Sequence, residues 1–70
     1  MRRRRVESEA LRSVGYDGKR QRLEIEFHSG EVYRYFDVPA TVHTGLMDAE
    51  SHGEYFSQYI RDRFDYEHLD

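Results

Sequence analysis

The sequence predicts an α+β fold, a three-stranded antiparallel β-meander followed by two short helices packed on one face of the sheet. Three observations predict it. Leu23, Ile25 and Phe27 alternate with Glu24, Glu26 and His28, the period of two of a half-buried strand. Asp17-Gly18 and Ser29-Gly30 punctuate the chain on either side of that run, as hairpin connections do. Beyond Val38-Pro39 the apolar spacing changes to three and four, the period of a helix.

The elements follow in order. Residues 1–9 are expected to form a flexible Arg-rich arm, because Arg2 to Arg5 repel one another and carry no apolar pattern. A first short strand is expected from Ser13 to Tyr16, a second from Leu23 to Phe27, and a third from Glu31 to Asp37. The turn between the last two decides which face of the third strand is buried. A two-residue loop at Ser29-Gly30 sets Val32, Arg34 and Phe36 beside Phe27, Ile25 and Leu23. A three-residue loop, His28 to Gly30 with Gly30 at positive φ, sets Tyr33 and Tyr35 there instead. The second is favoured, since it buries two rings rather than a guanidinium and places Arg34 beside Glu24 and Glu26.

Pro39 suits the first turn of a helix, where its missing N–H would have no partner. Val42, Leu46 and Ala49 give residues 39–49 one apolar stripe, with Gly45 available for a close approach to the sheet. Ser51 and Glu54 have the capping-box spacing, so a second helix is expected there, with Tyr55, Phe56, Tyr59, Ile60 and Phe64 inward. Neither helix is long enough to be stable alone, so both must lie on the sheet. The ordered domain is expected over 10–66, with 67–70 a frayed acidic tail.

Composition narrows the function. A mean hydropathy of -0.98 suggests disorder, but 14% aromatic content and a net charge of only -3 argue for a packed core. With no cysteine, disulfides and thiolate metal sites are excluded. No apolar run approaches the ~18–20 residues that cross a bilayer, and nothing apolar follows Arg2 to Arg5 as in a secretory signal. A cytoplasmic location is the default expectation. His28, His43, His52 and His68 show no i, i+4 spacing for a zinc face, and Ser51 is accounted for as a cap rather than a nucleophile. No glycine-rich phosphate loop is present. The expectation is therefore no enzyme, no metal and no cofactor.

The ordered set Gly15-Tyr16-Asp17, Leu23 to Phe27, Val32-Tyr33-Arg34-Tyr35 and Val38-Pro39 resembles the KTSC domain family. Leu46, Ala49, Ser51, Gly53, Tyr55-Phe56 and Ile60-Arg61 continue the likeness, which covers about residues 6–66. Ser57 departs from it, standing where the family pattern often has Asn. The family is named for its place at the C-terminus of some lysyl-tRNA synthetases, and its members also stand alone in bacteria. The resemblance implies a domain of unknown function, with RNA binding suggested by the synthetase attachment. The family's central Tyr-x-Tyr falls on Tyr33 and Tyr35.

The residues weigh for and against that suggestion. Tyr33, Arg34 and Tyr35, with Arg61 and Arg63, are the candidate binding residues, because rings beside guanidinium groups can stack bases. Arg12, Lys19, Arg20 and Arg22 form a second basic set. Against it, setting aside Arg2 to Arg5 leaves 7 basic and 14 acidic side chains, a charge of -7 that does not attract phosphate. The alternative expectation is a protein-protein interaction or self-association module, using Val32 and Phe36 on the uncovered sheet face. The expected partner is thus RNA or another protein, with no membrane and no small-molecule cofactor.

Overall fold

The computed structural model describes residues 1–69. Its strands are β1 (Arg3–Arg5), β2 (Leu11–Asp17), β3 (Arg22–Phe27), β4 (Val32–Tyr35) and β5 (Tyr66–Leu69), with helices α1 (Ala40–Asp48) and α2 (His52–Tyr59) between β4 and β5. All neighbouring strands are antiparallel, in the order β1-β2-β3-β4-β5. The fold is α+β with two helices, as predicted, but the sheet has five strands rather than three. The two additional strands lie in the segments expected to be a flexible arm and a frayed tail. Asp70, the end of that tail, lies outside the described residues.

The central meander follows the alternation in the sequence. Leu23 faces Tyr35, Glu24 faces Arg34, and Ile25 faces Tyr33 across β3 and β4. The loop between them has three residues: the Phe27 amide donates to the Glu31 carbonyl at 2.9 Å, and Gly30 sits at φ 94°. In β2 a bulge between Leu11 and Ser13 keeps both Leu11 and Val14 on the inner face. On the far side of β2, the Ser13 hydroxyl donates to Glu26 at 2.9 Å.

Both helices cover the inner face. Ser51 caps α2, its hydroxyl accepting from the Glu54 amide at 3.2 Å. Leu46, Phe56 and Ile60 close over Leu11, Val14, Leu23, Ile25, Tyr35 and Val38 to make the core. Two helical positions differ from the periodicity. Tyr59 is 50% exposed, because it lies against Tyr55 at 4.7 Å rather than against the sheet. Gly45 faces Tyr55 of α2, not the sheet, and a Cβ there would collide with the Tyr55 ring.

The two unforeseen strands are ordered by distant partners. Arg3 lies opposite Gly15, crosses it, and reaches Glu24 at 2.9 Å. Glycine makes that crossing possible, since a Cβ at Gly15 would come within 2.9 Å of the Arg3 side chain. At the other edge, Tyr66 and His68 pair with Tyr35 and Tyr33, stacking aromatic on aromatic across β4 and β5. No helix among the described residues is long and apolar enough to cross a membrane.

A Cβ added at Gly30 would meet no atom within 4 Å, so replacing this residue tests backbone conformation alone. Gly30→Val should lower stability by about 1–3 kcal/mol, the range for strained left-handed residues. An unchanged urea midpoint would remove the basis for the three-residue turn. A second expectation concerns His43, which stacks on Tyr16 at 4.5 Å. Burial, and next the nearby Arg4, push its imidazole below the usual 6.5. The folded state therefore favours neutral His43, and that stabilisation is present above pH 6.5 and lost as pH falls through the lowered value. Thermal melts between pH 8 and 5 should show a shallower decline for His43→Phe than for the parent, and parallel curves would contradict the assignment.

Candidate functional site

The helices cover the sheet unevenly. They seal β2, β3 and Tyr35, but leave a cleft where β4 and β5 run past the end of α2. The cleft holds about 360 Å³ and is lined chiefly by Phe27, Tyr33, Tyr35, Phe56, Arg61 and Tyr66. That volume lies at the lower end of small-ligand sites, which span roughly 300–1,000 Å³.

Its walls are rings set edge to face. Phe27 meets Tyr33 at 5.8 Å and Phe56 at 5.3 Å, while Tyr35 meets Phe56 at 5.7 Å. Such T-shaped pairs hold one another's orientation through their quadrupoles. Tyr33 is sandwiched laterally, with Tyr66 at 5.7 Å and the His68 ring stacked at 4.7 Å. Arg61, exposed at the rim, holds its guanidinium 5.6 Å above the Phe56 ring. Glu31 and Asp62 complete the border, so the mouth carries two carboxylates against one guanidinium. A neutral planar group suits this lining better than a phosphate does.

Tyr35 and Tyr33 play unequal parts. Tyr35 is 4% exposed, and its phenol is pushed up to about 12, by burial first and then by Tyr66 and Tyr33. It therefore stays a neutral donor at any ordinary pH. Its hydroxyl makes no hydrogen bond to the described side chains or backbone. No buried polar side-chain atom among the described residues lacks a partner, so this oxygen must open on the cleft. Tyr33 is half-buried and donates to Glu31 at 3.2 Å. Burial, then the Glu31 charge, raise its phenol too. No three His, Asp or Glu side chains converge among the described residues, so the site presents ring faces and hydroxyls rather than metal ligands.

Of the five residues singled out from the sequence, the structure brings together Tyr33, Tyr35 and Arg61. Arg34 is on the opposite face of the sheet, donating to Glu24 at 2.8 and 3.2 Å and reaching Glu67 at 3.3 Å. Those carboxylates, the Glu24 hydrogen bond foremost, raise its already high pKa. Arg63 borders a separate hollow with Phe36 and Phe64. Phe27, Phe56 and Tyr66 join the site without having been singled out. For Tyr66, the available signal was its alternation with Glu67 and His68 in the supposed tail. The outer-face pair Val32 and Phe36 is less open than the sequence implies. Leu69 pairs beside Val32, and the Arg22 guanidinium lies 5.5 Å over Phe36.

The KTSC domain family model matches residues 7–64. An uncharacterized protein of Stutzerimonas stutzeri is 46% identical over 61 residues, covering 87% of this chain and 86% of its own. A lysine–tRNA ligase of Nostoc punctiforme is 41% identical over 63 residues, which is 90% of this chain but only 11% of the ligase. The crystal structure of a KTSC domain protein from Yersinia pestis superposes with a TM-score of 0.96 at 33% identity, covering 99% of this chain and 97% of that one.

The unequal burial of the two tyrosines yields a stability prediction. Tyr35→Ala should cost about 3–5 kcal/mol, as large aromatic truncations in cores do. Tyr35→Phe should cost under about 1 kcal/mol, because the hydroxyl has no protein partner to lose. Chemical denaturation of both variants checks this, and equal losses would mean that the hydroxyl, not the ring, is what the core requires.

Proposed function

The chain belongs to the KTSC domain family, and from that premise we propose that it is a small non-catalytic binding domain whose ligand is single-stranded RNA. The observation that carries the reading is the aromatic cleft between β4, β5 and α2. Base stacking on exposed rings is tolerant of sequence and is the usual means by which sheet-based domains hold single strands. Tyr33 and Tyr66 offer ring surface, Arg61 offers a guanidinium plane, and the Tyr35 hydroxyl offers one hydrogen bond at the floor. The relatives add support from another direction. A segment like this one forms 11% of a lysine–tRNA ligase, a protein named for acting on RNA.

The residues fit no common catalytic constellation. At the rim Glu31 accepts from Ser29 at 3.4 Å and from Tyr33 at 3.2 Å, and the described lining holds no histidine to activate either hydroxyl. A protein ligand is the second reading, favoured by the charge of -7 on residues 6–70, which repels a polyanion and suits a basic partner.

Tyr66 is the sharper probe of the first reading, because at 58% exposure it lies outside the core that Tyr35 anchors, and its truncation costs less stability than that of Tyr35. Tyr66→Ala should weaken binding of a short labelled single-stranded RNA by about 1–3 kcal/mol, the worth of one stacked base. Fluorescence anisotropy measures it, with a thermal melt as the control for folding. An RNA affinity untouched by Tyr66→Ala and Tyr33→Ala alike would remove the cleft from consideration.

A further inference from the structure

We propose that a groove on the other side of the β3–β4 turn is a phosphate track, carrying the backbone of the same RNA strand whose base enters the cleft. This rests on the RNA reading above. The aromatic cleft cannot hold a phosphate well, because Glu31 and Asp62 outnumber Arg61 at its mouth. Any RNA bound there needs cationic contacts elsewhere, and the structure gathers them in one place.

The groove is open, about 790 Å³, and runs along the outer face beside β1, where Arg3, Arg5, Arg12, Ser13, Glu26 and His28 line it. Arg3 is committed to Glu24 at 2.9 Å. Arg5 makes no ion pair among the described residues. Arg12 donates to the His28 carbonyl at 3.2 Å, and only a loose contact of 3.6 Å ties it to Glu26. The single carboxylate in the groove already accepts from Ser13 at 2.9 Å. Arg5 is therefore uncommitted among the described residues and Arg12 is held only by the His28 carbonyl and a long ion pair, on a domain whose remaining charge is acidic.

Continuity joins the groove to the cleft. His28 lines the groove, while its neighbours Phe27 and Ser29 line the cleft. The turn from Phe27 to Ser29 thus borders both, and a flexible strand passing over it would place a base on one side and phosphates on the other. The arrangement also gives the Arg2–Arg5 run a purpose beyond the fold, since among the described residues only Arg3 of the four is used in an ion pair.

The test measures binding of a labelled oligouridylate of about 10 nucleotides, within the usual single-strand site sizes, across a salt series. Parent, Arg5→Gln, Arg12→Gln, the double variant, Glu26→Gln and Tyr66→Ala are compared, each with a thermal melt. The arginine variants should melt normally, as exposed ion pairs contribute little. Each should flatten the plot of log affinity against log salt by about 0.7, the value for one lost single-strand phosphate contact. Glu26→Gln should tighten binding, and Tyr66→Ala should weaken it without changing the slope. Failure of the parent to bind RNA would defeat the function proposed above. Binding by the parent with an unaltered slope in the double arginine variant would overturn the track alone. Inorganic polyphosphate that displaces the probe as well as unlabelled RNA does would overturn it too, by reducing the groove to an unselective polyanion surface.

Discussion

Because side chains alternate across a strand, the pairing of Leu23 with Tyr35 and of Glu24 with Arg34 settles both faces of this sheet at once. On the inner face it sets Tyr35 under the helices and Tyr33 beside it at the mouth of the cleft. On the outer face it sets a guanidinium against Glu24, which is only 7% exposed and would be costly without a partner. A slip by one residue would exchange these sets, burying Arg34 among leucine and isoleucine. The turn through Gly30 enforces the register from the chain's side, and the Glu24–Arg34 pair enforces it from the far side. Each makes the other's alternative worse.

The sheet edges hang from the same pairing. Arg3, Gly15, Glu24, Arg34 and Glu67 are consecutive partners across all five strands, and the charges alternate along that row except where glycine makes room. Glu24 thus recruits β1 through Arg3, and Arg34 recruits β5 through Glu67. On the inner side, β5 is held again by Tyr66 and His68 against the tyrosines of β4. The β1 edge carries three arginines, and β5 carries Glu67 and His68 among its four residues, charges that discourage pairing with further strands.

This division explains what could be read from the sequence. Strands β2 to β4 and both helices announce themselves through local periodicity, the turn pairs and the Ser51 cap. Even the register was accessible, through the electrostatics of Arg34 beside Glu24. Strands β1 and β5 were not, because four arginines and a Tyr-Glu-His-Leu segment have little reason to extend until the neighbouring strand is in position to pair with them. The site was half legible for a related reason. The register argument that faces Tyr33 inward also separates it from Arg34, so that arginine could have been set aside on sequence grounds. The gathering of Arg61, Phe56 and Tyr66 around the tyrosines depends on where α2 ends relative to β5, which no local pattern specifies.

The cleft exists because a small domain cannot cover five strands with two short helices. Leu46, Phe56 and Ile60 suffice for β2, β3 and the β4 residue Tyr35; beyond that, the aromatic row must cover itself. Tyr33 stands at the boundary, packed against Phe27 and Tyr66 yet only half-buried. A large ring tolerates that position because it gains from edge-to-face contacts without full burial. An aliphatic side chain there would gain less and offer no face for stacking. The same rings that finish the core of the fold therefore also line the cleft, and the Tyr-x-Tyr spacing divides them: Tyr35 anchors, while Tyr33, two residues earlier on the same face, reaches the opening.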